Sequence, residues 1–112
     1  MAHFIPQRGD IVWINFTPQA GHEQSGKRPA LVISPLTYNK KVGLALFCPI
    51  TSQIKGYPFE VMIPDGNLIR GVVLADQIRS LDFNSRKVQF ISKLPVANTN
   101  EVLNKIMPLI SS

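Results

Sequence analysis

The sequence predicts a mainly β domain, a small β-barrel or strongly bent sheet closed by a C-terminal helix. Three observations carry this reading. Short apolar runs recur along most of the chain with Gly, Pro and Asn between them, the rhythm of short strands and tight turns. Toward the end of the chain the apolar spacing changes to that of a helix. The 112 residues are 45% hydrophobic and 17% charged, enough to enclose one core and too apolar for a disordered tail, so a single domain over 1–112 is expected.

Gly9-Asp10 introduces the first strand, about Ile11 to Phe16. Ala30 to Ser34 reads as the second. Pro35 to Lys41 is a connection with room for one helical turn. Leu44 to Ile50 is apolar without a break, as a strand buried in the core would be. Phe59-Glu60-Val61-Met62-Ile63 alternates and so has one wet face. Pro64-Asp65-Gly66-Asn67 is a turn. Gly71 to Ala75 is a second buried run, and Lys87 to Ile91 the last strand. Asn98 and Glu101 have the spacing of a capping box. Val102, Leu103, Ile106, Leu109 and Ile110 follow on one helical face, with Pro108 expected to kink or end the helix near Met107.

Composition narrows the function classes. Twelve basic and seven acidic residues give a net charge of +5, which suits a polyanionic partner because neutralised phosphates supply much of nucleic-acid affinity. Cys48 is the only cysteine, so no intrachain disulfide can form, and its apolar neighbours predict a buried, inert thiol. His3 and His22 are far apart and acidic residues are few, so no metal site is expected. No phosphate-cradling or dinucleotide-binding glycine pattern occurs. No apolar stretch has the length of a signal peptide or of a membrane span of roughly 18 residues. A cytoplasmic protein away from membranes is expected.

The chemistry concentrates in Gly21-His22-Glu23-Gln24-Ser25-Gly26-Lys27-Arg28-Pro29, between the first two strands. A mixed-charge loop is usually only a solvated connection. This one brings an imidazole, a carboxylate, an amide, an ammonium and a guanidinium together, groups that position a phosphate and move protons. A second polar cluster, Thr51-Ser52-Gln53-Ile54-Lys55-Gly56-Tyr57-Pro58, leaves the third strand with hydroxyls, a cation and an aromatic ring on which a base could stack. A third, Asp76-Gln77, stands at a strand end and could tie loops together.

Six short motifs run in order: Gly9-Asp10-Ile11-Val12-Trp13, Glu23 to Ala30, Ser34-Pro35, Pro49-Ile50-Thr51-Ser52, Lys55 to Phe59, and Leu74-Ala75-Asp76-Gln77. In this order and with these gaps the chain, from about Arg8 to its end, resembles the MazF/PemK (Kid) toxin family of bacterial type II toxin–antitoxin modules, and within it the MazF branch. The resemblance implies an SH3-like β-barrel with a C-terminal helix, as in CcdB and PemK. It implies a homodimeric, sequence-specific endoribonuclease (an mRNA interferase) that cuts single-stranded RNA without cofactor or metal. It also implies neutralisation by a MazE-like antitoxin.

The resemblance carries catalytic roles onto Glu23, Arg28 and Thr51, with His22 a further candidate. Gln24, Lys27, Ser52, Lys55, Tyr57 and Gln77 are the expected RNA contacts, and Asp76 a supporting residue. Kid-type members place a basic residue two positions before the acid of the Asp-Gln pair, where this chain has Leu74, which favours a scheme centred on the loop. The expected chemistry is attack by the RNA's own 2′-hydroxyl, giving a 2′,3′-cyclic phosphate and a 5′-hydroxyl. Glu23 would be the base, Arg28 the phosphate clamp, and Thr51 a donor to a non-bridging oxygen. Two other readings stand beside this one. A CcdB-like gyrase poison would bind protein and cut nothing, but that group ends in a tryptophan-containing tail and the only tryptophan here is Trp13. A non-catalytic RNA-binding barrel is the other.

Overall fold

The computed structural model describes residues 4–16 and 26–111. Among them the elements run β1 (Asp10–Asn15), β2 (Lys27–Val32), α1 (Leu36–Val42), β3 (Leu44–Thr51), β4 (Glu60–Met62), β5 (Val72–Leu74), β6 (Arg79–Asp82), β7 (Gln89–Lys93) and α2 (Val96–Ile110). The strands form one antiparallel sheet in the order β4-β5-β3-β2-β1-β7, with β6 also paired to β3. The mainly β sheet with its C-terminal helix is the architecture expected. The ladder does not close into a full barrel, since no pairing joins β7 to β4 or β6.

β3 is the hub. Its start, Leu44 to Phe47, pairs with β6, its end, Ile50 and Thr51, with β5, and its middle, Phe47 to Pro49, with β2. Alternation along the strands sends side chains to both faces of the bent sheet. Ile11, Leu31, Cys48, Ile50 and Val73 fill one cluster, closed by Val102 and Ile106 of α2. Val12, Ile14, Val32, Phe47 and Leu81 fill the other. Each such aliphatic side chain, once fully buried, contributes about 1.5–3 kcal/mol of transfer free energy.

Four buried polar residues among those described, Asp10, Ser34, Asn39 and Thr99, fix the edges. Asn39 of α1 has no exposed surface. It accepts the Ser34 hydroxyl at 2.6 Å and donates to the Pro6 carbonyl at 2.7 Å. These bonds hold α1, two turns long where the sequence had room for one, against the chain's start. Asp10 is 2% exposed and pairs with Lys93 at 2.7 Å, pinning β7 to β1. Thr99 is buried, and its hydroxyl donates to the Pro95 carbonyl at 3.2 Å.

Several boundaries differ from the sequence expectation. β2 begins at Lys27, because the register of β1 carries Asn15 opposite Lys27 and Ile14 opposite Arg28. α2 opens at Pro95 with no side-chain cap, so Asn98 lies inside the helix and forms no capping box with Glu101. The helix also continues through Pro108 to Ile110. Pro108 stands in the last turn, and the carbonyl it cannot serve belongs to exposed Asn104, where water can replace the lost donor. β6 was not anticipated, although Leu81 and Phe83 are buried while Ser80 and Asp82 are exposed. No helix among the described residues is long and apolar enough to cross a membrane.

Candidate functional site

The site opens where the β2–β3 ladder stops. The last pair is Ala30 with Pro49. Beyond it Pro29 has no N–H with which to extend the ladder. Arg28 on β2 and Thr51 at the end of β3 flank this break. On its other edge β3 remains held, with Thr51 opposite Val72.

Gly71 fixes the backbone at Thr51. Its φ is +124°, and a Cβ added there would lie 2.1 Å from the Thr51 carbonyl oxygen and 2.8 Å from the Thr51 carbonyl carbon. Real contacts of that kind do not occur, so only glycine lets the two segments approach this closely.

Two grooves meet at Arg28 and Thr51. The first, about 490 Å³, is lined by Arg28, Pro49, Thr51, Gln53, Lys55, Tyr57, Glu60 and Gln77, among others. The second, about 570 Å³, is lined by Trp13, Arg28, Thr51, Ser52, Gln53, Leu68, Ile69 and Arg70, among others. Arg28, Ile50, Thr51 and Gln53 line both and form the ridge between them.

The segment after β3 is bound at several points. The Thr51 hydroxyl oxygen accepts the Gln53 N–H at 3.1 Å, which leaves the hydroxyl proton free to donate elsewhere. The two Glu60 carboxylate oxygens accept the backbone N–H groups of Lys55 and Gly56 at 3.0 and 3.1 Å. The Tyr57 hydroxyl donates to Asp76 Oδ2 at 2.5 Å, and Lys105 of α2 donates to the Pro58 carbonyl at 2.8 Å. The bond to the Asp76 carboxylate, with lesser help from burial and from the Asp76 charge, raises the Tyr57 pKa. The Tyr57 ring remains 45% exposed, tilted against Phe59.

The structure thus brings Arg28, Thr51, Ser52, Lys55, Tyr57 and Gln77 around one pair of grooves. Asp76 stands behind Tyr57. Lys27 lies apart, its ammonium donating to Gln89 Oε1 at 3.0 Å. His22, Glu23 and Gln24 fall outside the described residues; the Phe16 N–H donates to the Gly26 carbonyl at 2.8 Å where the chain leaves and re-enters the described part. Sequence reasoning missed Gln53, Glu60, Gly71, Trp13 and Arg70 as site residues. Gly71 carried a signal, a glycine opening a buried strand, but its contact with Thr51 is tertiary. Cys48 is not a nucleophile of this site: it is fully buried, and burial, with the Asp76 charge second, pushes its thiol up to about 12.

Comparison with known proteins places this geometry in a family. The family of PemK-like, MazF-like toxins of type II toxin–antitoxin systems matches residues 7–110. The chain belongs to this family. The endoribonuclease toxin MazF of Escherichia coli (strain K12) is 46% identical over 86 residues, 77% of each chain. The crystal structure of MazF from Deinococcus radiodurans superposes with a TM-score of 0.87 at 51% identity, covering 96% of this chain and 98% of that one. A MazE–MazF crystal structure from the same organism gives 0.86 at 43% identity, covering 97% and 98%. These likenesses extend over the strands and the helix that frame both grooves.

Proposed function

We propose that this chain is an endoribonuclease toxin that cuts single-stranded RNA at a short recognition sequence through the ridge formed by Arg28 and Thr51. The observation that carries the reading is the meeting of those two side chains, from different strands, at the border of two cationic grooves. Relatives named as endoribonucleases support the activity.

The chemistry needs three things: a base for the RNA's 2′-hydroxyl, donors for the charge that develops on phosphorus, and an acid for the leaving 5′-oxygen. Arg28 supplies paired N–H donors that fit a phosphate bidentately. Thr51 supplies a hydroxyl proton that its own loop does not use. Glu23, in the segment that returns to β2 just before Arg28, is proposed as the base. His22 is the better proton donor, since an arginine pKa above ~12 makes it a poor shuttle. The products are a 2′,3′-cyclic phosphate and a 5′-hydroxyl, and no step requires a metal.

Gln24, Ser52, Lys55, Tyr57 and Gln77 are proposed to hold the strand, with Asp76 fixing Tyr57, and Lys27, which lies apart beside Gln89, to meet it farther along. The working form is proposed to be a homodimer in the bacterial cytoplasm. Its activity would be silenced by a MazE-like antitoxin whose acidic segment folds into the grooves and competes with RNA. MazE–MazF crystal structures among the relatives support that partner. Incubating the purified protein with a mixed RNA tests the reading: discrete fragments with 5′-hydroxyl ends are expected. Intact RNA would return the chain to a non-catalytic binder.

A further inference from the structure

Among the described residues, the first groove takes up most of the polar side chains that the family resemblance points to, Arg28, Thr51, Lys55, Tyr57 and Gln77. The second does not, apart from Ser52, yet it shares the same ridge. A phosphodiester held at Arg28 and Thr51 has a nucleoside on each side. Two grooves meeting at that ridge therefore accept one nucleoside each.

The second groove differs in chemistry. Two guanidiniums line it, Arg28 and Arg70, and no carboxylate does. In the first groove, by contrast, Glu60 is present but spends its oxygens on the Lys55 and Gly56 N–H groups. Arg70 is exposed and has no hydrogen-bond or ion-pair partner among the described residues. Trp13, half-buried on β1, supplies an aromatic wall, and Leu68 and Ile69 supply apolar ones. In the endoribonuclease reading, the Arg28 guanidinium is taken by the phosphate on the ridge. The other faces an aromatic-walled space without a counter-charge.

We infer that this groove is a base-reading subsite and that Arg70 is its specificity-determining residue, a proposal that rests on the endoribonuclease reading above. Aromatic and guanidinium planes stack on any base, and that part is sequence-tolerant. The fork adds discrimination because it needs two neighbouring acceptors on one base edge. Guanine offers O6 and N7, and cytosine O2 and N3; adenine sets a donor beside its acceptor. The base seated here is therefore guanine or cytosine in preference to adenine.

Two measurements test this. Mapping of 5′-hydroxyl ends from a mixed RNA gives the base preference at each position around the cut. Binding of 2′-O-methyl pentanucleotides that differ in one base gives the same preference without cleavage. Wild type is expected to favour guanine or cytosine over adenine at one position next to the cut, by roughly 5- to 150-fold. Arg70→Lys, which keeps the charge and loses the fork, is expected to abolish that preference and leave the other positions unchanged. Gln77→Ala, in the first groove, is expected to keep it. An Arg70→Lys protein with wild-type preferences, or one weakened equally on every sequence, overturns the inference, the second result marking a phosphate contact. A folded wild type that cuts nothing but binds with the stated preference keeps the subsite and removes the endoribonuclease reading. Absence of both cleavage and base preference removes both.

Discussion

Replacing Gly71 by alanine tests whether backbone approach positions the reacting group. The new Cβ would stand 2.1 Å from the Thr51 carbonyl oxygen, where 3.4 Å or more is ordinary contact. Relief requires the Thr51–Ser52 backbone to retreat by about 1 Å, a displacement that can cost about 100-fold in rate when it reaches a catalytic group. The positive φ adds a backbone cost of about 1–3 kcal/mol, so lost stability alone would prove nothing. Gly66→Ala is the control: its φ is +94°, and no atom lies within 4 Å of an added Cβ. Single-turnover cleavage of a labelled RNA, with thermal unfolding beside it, separates the two effects. Both variants are expected to lose stability, and Gly71→Ala alone to lose about 100-fold in rate with little change in RNA affinity. Equal activity in the two folded variants would refute the claim that Gly71 places Thr51.

Glu23→Gln keeps shape and removes a base, so a folded protein with cleavage reduced about 10²–10⁴-fold is expected in the same assay, and a near-wild-type rate would exclude Glu23. Tyr57→Phe removes the bond to Asp76, one polar contact, and should raise KM several-fold while kcat holds. The Tyr57 pKa is raised in the folded state, so the clasp is fully present below the ordinary phenol value of 10.0 and is lost as pH rises through the higher folded value; the variant should lack that alkaline loss of RNA binding. Cys48 should resist thiol reagents at pH 8 until the protein unfolds. Its folded value near 12 against an ordinary 9.0 means that its contribution is intact below pH 9 and declines from there toward 12, a decline that Cys48→Ala should flatten in pH-dependent denaturation curves.

Much of the fold was legible because it rests on periodicity. The apolar run of β3 puts Ala45, Phe47, Cys48 and Ile50 in the core, the alternation of β4 buries Val61, and the helical spacing buries Val102 and Ile106 while Leu109 and Ile110 of the same stripe stay exposed. What misled was local chemistry overruled by tertiary register. Lys27-Arg28-Pro29 looks like loop, yet β1 draws it into β2. Asn98 looks like a cap, yet the helix starts before it and Thr99 makes the buried bonds. The exposed half of β6 hid the alternation of Leu81 and Phe83. At the candidate site, Arg28 was visible as a cation in a polar loop, Thr51 as a hydroxyl at a strand end and Tyr57 as the aromatic of the polar cluster that follows. Glu60, Gly71 and Arg70 were not: Glu60 turns back onto the Lys55 and Gly56 N–H groups of the loop before it, Gly71 meets Thr51 only through tertiary approach, and Arg70 joins the site only because the fold sets it on one groove with Trp13.

The central claim is that Arg28 clamps the phosphate beside Thr51 while the RNA's own 2′-hydroxyl attacks. The most direct measurement is single-turnover cleavage of one labelled RNA in excess EDTA, with end-group analysis, by wild type and by Arg28→Lys. Wild type should cut without metal and leave a 2′,3′-cyclic phosphate and a 5′-hydroxyl, and a 2′-deoxy nucleotide at the cut should block it. Arg28→Lys keeps the charge but loses the bidentate fork, so it should fold normally and cut at least about 100-fold more slowly. Cleavage that needs added magnesium, that leaves 5′-phosphate ends, or that survives in Arg28→Lys at the wild-type rate would contradict the account.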